Sequence, residues 1–175
     1  DIGLTPRTRE FLKARRIPHE FDGWRVLSSP LLRCRETAEL LGLQAEIEPR
    51  LIEMHWGDFE GRVMDDLRAE LGPALAENEA RGLDFQPPNG ESPRMVFDRL
   101  RPLLSELAED GRDTLCVTHR GVFRTVYAHA RAWDMKSDPP DKLDLYAMHV
   151  FRLAPDGTPA LVDLNLALKR RWRKS

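Results

Sequence analysis

Thr114-Leu115-Cys116-Val117-Thr118-His119-Arg120-Gly121-Val122-Phe123-Arg124 is the stretch on which the reading of this 175-residue chain turns. Strand-forming residues run from Thr114 into a Thr-His pair. Gly121 then opens a segment whose apolar residues Val122, Val126 and Ala130 recur at helical spacing. The pattern is a strand ending in a turn that opens a helix. In open α/β sheets ligands bind outside the carboxyl ends of the strands, so the imidazole of His119 is expected to face the site. A histidine beside a strand is more often hydrogen-bonded structure than catalyst, and this stretch alone leaves both readings open.

A second junction of the same kind lies upstream. Residues 24–29 read as a short buried strand closed by Pro30. A helix follows from Arg33 to Leu41, with Cys34, Ala38 and Leu41 on one face and Gly42 as its stop. Before this strand, Thr5-Pro6 is an N-cap and first-turn pair, predicting a helix through Phe11 and Leu12 up to Ile17, ended by Pro18. After the helix, residues 44–47 are a third strand. The segment 51–61 is too irregular for either period and reads as a loop rich in aromatic, acidic and glycine residues.

Further along, residues 64–81 read as helix interrupted at Gly72-Pro73, and 82–90, with two prolines, as a surface loop. Ser92-Pro93 repeats the cap signature, and Val96, Leu100, Leu103, Leu104 and Leu107 give a long amphipathic helix ending near Gly111. Pro102 inside it predicts a kink or a local break. Downstream of the central stretch come a polar loop at 135–141 and two apolar segments, 145–153 and 160–164, joined by the turn chemistry of Pro155-Asp156-Gly157. The basic tail at 169–174 reads as a solvated end. The alternation of strands and helices predicts an α/β fold: a three-layer sandwich with a mostly parallel central sheet flanked by helices and an antiparallel hairpin near the C-terminus.

A chain of this length holds one domain with a sizeable core, here 1–175. With 41% hydrophobic and 32% charged residues it has the composition of a soluble globular protein. A formal net charge of -2 exerts no global pull toward nucleic acid or an anionic membrane, and no apolar run is long enough to span a bilayer. Neither nucleic acid nor membrane is therefore an expected partner. Cys34 and Cys116 lack metal-ligand spacing and make no disulfide framework, which predicts reduced thiols and a cytoplasmic location. No metal or cofactor is expected, and the oligomeric state stays open, a homodimer included.

Polar groups gather at the strand ends and in the irregular loop: Ser29 with Arg33, Glu53 with His55, and His119 with Arg120. Singly, Arg33 reads as a solvated helix residue and Glu53 as a surface carboxylate. Together they describe a device. An arginine at a helix start clamps an anion where the helix dipole also favours one. A histidine across the pocket donates to the same anion, and a loop carboxyl group protonates a leaving oxygen.

Four segments in order resemble the successive motifs of the histidine phosphatase superfamily, the phosphoglycerate-mutase-like clan. They are Ser28-Ser29-Pro30-Leu31-Leu32-Arg33-Cys34-Arg35-Glu36-Thr37-Ala38, then Glu53-Met54-His55-Trp56-Gly57-Asp58-Phe59-Glu60-Gly61, then Asn89-Gly90-Glu91-Ser92, then Val117-Thr118-His119-Arg120-Gly121-Val122. The resemblance implies two-step phosphoryl transfer through a phosphohistidine, with no metal. By the same resemblance Arg33 is the pocket arginine, His119 the second phosphate-binding histidine, and Glu53 the acid that protonates the leaving alcohol and later activates water. Ser29, His55 and Arg120 are assigned to substrate binding.

Two departures from the family stand out. The nucleophile of the family lies in an Arg-His-Gly motif on the first strand, and no Arg-His-Gly occurs in these residues. The opening Asp1-Ile2-Gly3-Leu4-Thr5 resembles the segment shortly after that motif, so the first strand and the nucleophile are expected upstream of Asp1. Arg120 stands where the family often has glycine. The expected activity is hydrolysis of a small phosphorylated metabolite. A phosphoglycerate-type mutase, or a non-catalytic pseudoenzyme that binds a phosphorylated ligand or a protein partner, is the alternative. Met54 after Glu53 and the lack of basic residues from Gly82 to Asn89 favour phosphatase over mutase.

Overall fold

The computed structural model describes residues 1–171. Its first element, helix α1 (Pro6–Lys13), starts as expected, with the Thr5 hydroxyl accepting from Thr8 N and proline in the first turn. It stops short of Ile17, because Arg15–Arg16 leave the helix as strand β1. That strand pairs antiparallel with β7 (Lys169–Arg170), and Arg171 donates to the carbonyls of Arg15 and Leu40. The start of the basic tail is tied to the body by main-chain pairing while Lys169, Arg170 and Arg171 stay exposed, as expected of a solvated end, and residues 172–174 lie outside the described part.

Strands β2 (Arg25–Ser28), β3 (Glu46–Ile47) and β4 (Thr114–Val117) form a parallel sheet in the order β3-β2-β4. Between β2 and β3 runs α2 (Leu32–Leu41), closed by Gly42 in the left-handed conformation, φ 78°, with its N–H on the Ala38 and Glu39 carbonyls. Helices α3 (Met64–Leu71) and α4 (Pro73–Glu79) break at Gly72, as the Gly-Pro pair predicts. The following segment 82–90 corrects the expectation of a surface loop. Gly82, Pro87 and Gly90 are buried, and Leu83 N donates to Asp134 O, so this loop is packed into the body.

Helix α5 (Pro93–Asp110) begins at Ser92, whose hydroxyl accepts from Met95 N, and ends at Gly111. It carries the core on one face: Val96, Phe97, Leu100, Leu103, Leu104 and Leu107 are all buried and pack with Leu27, Leu51, Met54 and Val122. The helix runs through Pro102 without a break. Pro102 lies on the exposed face, so its missing N–H costs one solvent-side bond while the leucines on the other face hold the helix to the core.

After β4 comes α6 (Arg120–Arg131), followed by the antiparallel hairpin of β5 (Met148–Leu153) and β6 (Pro159–Leu166) that precedes β7. Its turn rests on α5: a Cβ at Gly157, φ 82°, would lie 2.6 Å from Ser105 N. The α/β class, the parallel sheet and the C-terminal hairpin all agree with the sequence. Among the described residues β4 is paired only with β2, and β5 only with β6. A largely apolar channel of about 500 Å³ runs between these two strands, lined by Leu100, Leu104, Leu115, Val117, Val150 and Phe151 among others, and reaching His119.

Candidate active site

Strands β2 and β4 run side by side with Ser28 opposite Val117, so both chains leave the sheet at the same level. Ser29 N donates to Val117 O at 2.9 Å, which holds the two exits together. His119 then stands at the N-cap of α6 in extended conformation, φ -120° and ψ 165°. The residue is 6% exposed. His119 Nε2 is 2.7 Å from Ser29 Oγ, and Arg33 Nε, in the first turn of α2, donates to His119 Nδ1 at 3.1 Å. Cys34 Sγ lies 3.4 Å from Nε2 and donates to Thr118 O. Burial, and after it the charges of Arg33 and Arg99, push the His119 pKa down to about 4. The ring is neutral at physiological pH. Burial pushes the Cys34 thiol up to about 11, so it stays protonated.

Glu53 reaches the same pocket from the irregular loop. Its Oε1 accepts from Met54 N at 2.9 Å and from Gly121 N at 3.1 Å, the latter in the first turn of α6. Gly121 is needed here, since a Cβ would lie 2.5 Å from that oxygen. Burial raises the Glu53 pKa against the opposing pull of the Met54 N–H, Arg33, the Gly121 N–H and Arg99. A proton is therefore held to higher pH than on a surface glutamate. A guanidinium, a neutral imidazole and a protonatable carboxyl group thus converge at the carboxyl ends of two parallel strands. Such a set can bind an anion and deliver a proton to it.

Ser29, Arg33, Glu53 and His119 are brought together as the sequence suggests. His55 and Arg120 are both exposed, and Arg120 lines the channel together with His119. The His55 ring engages Asn89 O at 3.1 Å, while Arg120 opens α6. The remaining histidines are engaged elsewhere. His129 stacks on Phe97 and His149 on Phe123, whereas exposed His19 pairs with Asp22. Sequence reasoning missed Cys34 as a neighbour of the ring. It also missed Thr118, whose hydroxyl donates to Leu51 O at 2.8 Å, and the pair Glu91 and Arg99 that fastens the Glu53 loop. The Gly-Glu-Ser motif was the one signal that could have drawn attention to Glu91. Among the described residues no three of His, Cys, Asp and Glu form a group that could hold a metal ion, and no helix is long and apolar enough to cross a membrane.

The sequence profile of the histidine phosphatase superfamily (branch 1) matches residues 1–166. The chain belongs to this superfamily. It is 32% identical over 138 residues to phosphoglycerate mutase-like protein 4 of Arabidopsis thaliana, an alignment covering 73% of this chain and 58% of that protein. It is 30% identical over 132 residues to human 6-phosphofructo-2-kinase/fructose-2,6-bisphosphatase 4, covering 74% of this chain and 28% of the human one. The chain thus spans less than two thirds of either relative. Among solved structures, the mycobacterial glucosyl-3-phosphoglycerate phosphatase in complex with inorganic phosphate superposes with a TM-score of 0.70 over 92% of this chain and 85% of that one. At 22% identity that likeness speaks for the fold. A protein of Thermus thermophilus is 31% identical, with a TM-score of 0.60 over 75% of this chain and 72% of its own. Histidine phosphatase relatives of this chain thus carry the names of both phosphatases and mutases.

Proposed function

We propose that this chain is the body of a metal-independent phosphatase, a single histidine-phosphatase-like domain over 1–175 that hydrolyses a small phosphomonoester through a phosphohistidine. The observation that carries this reading is the convergence of Arg33, His119 and Glu53 on one pocket. Arg33 and the Nε2–H of His119 bind the phosphoryl oxygens, and Ser29 orients the ring until the substrate arrives. The nucleophilic imidazole comes from a strand upstream of Asp1 that lies in the channel between β4 and β5. Support for that seat is the pair of open strand edges, the apolar lining, and the position of His119 at the channel.

In the first step the nucleophilic nitrogen forms a bond to phosphorus while the ester P–O bond breaks, and Glu53 gives its proton to the departing alkoxide. In the second, water attacks the phosphohistidine, Glu53 takes the proton from that water, and the nitrogen leaves. His55 and Arg120 lie outside this set and meet the leaving group at the mouth. Hydrolysis rather than mutase activity is favoured because Met54 follows Glu53 and no basic residue lies between Gly82 and Asn89.

The test is turnover of p-nitrophenyl phosphate by the full-length protein in EDTA, with acid-quench detection of a phosphohistidine. EDTA-resistant turnover with a labile phosphoenzyme is expected. Binding of inorganic phosphate without turnover would overturn hydrolysis and establish the ligand-binding alternative.

A further inference from the structure

The loop that carries Glu53 has little regular structure of its own, yet its main chain is fastened at four residues by one side-chain pair. Arg99, on the core helix α5, sends its guanidinium across to this loop and is 21% exposed. Nη1 donates to Arg50 O, and Nη2 donates to Ile52 O at 2.7 Å and to Glu53 O at 3.3 Å. Nε donates to Glu91 Oε1 at 2.9 Å, and Nη2 also reaches Glu91 Oε2 at 3.3 Å. Glu91 completes the hold: its Oε2 accepts from His55 N at 2.9 Å, and its own N–H donates to His55 O at 2.8 Å.

We propose that Arg99, held by Glu91, is a positioning residue that fixes where the Glu53 carboxyl group meets the substrate, although Arg99 itself touches neither substrate nor reacting atoms. The proposal rests on the acid role given to Glu53 above. Opposite the clasp, Leu51 and Met54 are buried in the core, Thr118 Oγ1 donates to Leu51 O, and the Glu53 side chain accepts from Met54 and Gly121 N–H. Without the clasp those bonds would have to hold an irregular segment against its own conformational entropy. The fork of donors is essential to the geometry, since it reaches carbonyls at positions 50, 52 and 53 and a carboxylate at once. A lysine ammonium offers no such plane. Misplacing a catalytic group by about 1 Å costs on the order of a hundredfold in rate, so a small loosening is measurable.

The experiment compares Arg99→Lys, Arg99→Gln and Glu91→Gln in the full-length protein, each alone and in a Glu53→Gln background. Each is assayed on an alkyl phosphomonoester and on p-nitrophenyl phosphate, with thermal melts as a check of folding. The expected result is a fall in kcat/KM on the alkyl ester on the order of tenfold or more, with kcat/KM for p-nitrophenyl phosphate largely spared, since that ratio reports phosphoryl transfer to the enzyme and not the shared water step. In the Glu53→Gln background no further selective loss should follow. Arg99→Gln, which removes the cation, should also move the alkaline limb of the alkyl-ester profile upward, because Arg33 and Arg99 are the charges that hold the Glu53 pKa down. Arg99→Lys should leave that limb in place. Equal losses on both esters, or losses that add to that of Glu53→Gln, would overturn the positioning role while leaving the acid role intact. If both Arg99 variants fail to fold, Glu91→Gln decides in the same way. A Glu53→Gln enzyme that does not discriminate between the two esters would overturn the acid role and the positioning role together.

Discussion

Arg33 Nε stands 3.1 Å from His119 Nδ1, and because a guanidinium can only donate, that ring nitrogen accepts. The proton of the neutral ring is therefore on Nε2, directed at Ser29 Oγ 2.7 Å away. One arginine thus supplies pocket charge and also selects the tautomer, so that His119 presents a donor where an anion would bind.

Ser29→Ala removes the acceptor for that N–H and leaves it buried, with Cys34 Sγ as its nearest polar neighbour. The expected cost is about 1–3 kcal/mol of stability, read as a lower midpoint in urea unfolding at neutral pH. A variant as stable as the parent would show that Ser29 does not hold the ring.

The sign of the pH effect follows from the depressed pKa of His119. Above the ordinary value of 6.5 both folded and unfolded states are neutral there, and stability is complete with respect to this group. As the pH falls from 6.5 toward about 4 the unfolded chain binds a proton that the folded one refuses, and stability is lost. The loss attributable to His119 is expected to reach about 3 kcal/mol at most. Burial also lowers the pKa of His129 and His149, so the difference in slope between parent and His119→Gln isolates the effect. Parallel curves would contradict the assignment.

Glu53 must be protonated to act as an acid, and burial raises its pKa. Turnover of alkyl phosphomonoesters should therefore fall as pH rises through that raised value. Glu53→Gln should lower kcat/KM on such esters by roughly 10²–10⁴ and abolish its alkaline limb, while kcat/KM for p-nitrophenyl phosphate, with its good leaving group, loses far less, because kcat/KM reports phosphoryl transfer to the enzyme and not the later water step in which Glu53 is the base. Equal loss on both substrates would argue against proton donation.

Gly121→Ala separates stability from chemistry. Alanine favours the helix by about 1 kcal/mol over glycine, but its Cβ would lie 2.5 Å from Glu53 Oε1 and push the flexible carboxyl group aside. A folded protein with a melting temperature near or above the parent's, yet with turnover of alkyl esters cut at least tenfold, is expected. Unchanged activity would mean that the carboxyl group works from another position.

At Gly57 the same substitution should act on the fold instead. With φ 52° and a Cβ only 2.0 Å from Pro88 O, Gly57→Ala strains the backbone and drives the 55–61 loop off residues 88–90. A loss of about 3 kcal/mol is expected in chemical denaturation. Neutrality would show that the two loops are not packed as described.

Much of this was legible because it is local. The caps at Thr5 and Ser92, the stops at Gly42 and Gly111, the break at Gly72-Pro73 and the turn at Pro155-Asp156-Gly157 each act through neighbouring backbone atoms, so composition and spacing report them. The errors have the opposite character. The early end of α1 depends on β1 meeting β7, more than 150 residues away in the chain. The unbroken passage of α5 through Pro102 depends on which face the core grips.

For the site, the ordered motifs determined the family and singled out the strand ends with Ser29, Arg33, Glu53 and His119 as the candidate residues, because chemistry at the end of a parallel strand is written in a few consecutive residues. Only the tertiary structure decided which ring nitrogen carries the proton, that Cys34 lies against it, that the His55 ring is exposed and engaged with Asn89 O, and that Arg99 and Glu91 hold the Glu53 loop. Those relations join atoms far apart in sequence, and their geometry arises when helix α5 and the two strand ends are packed around a common core.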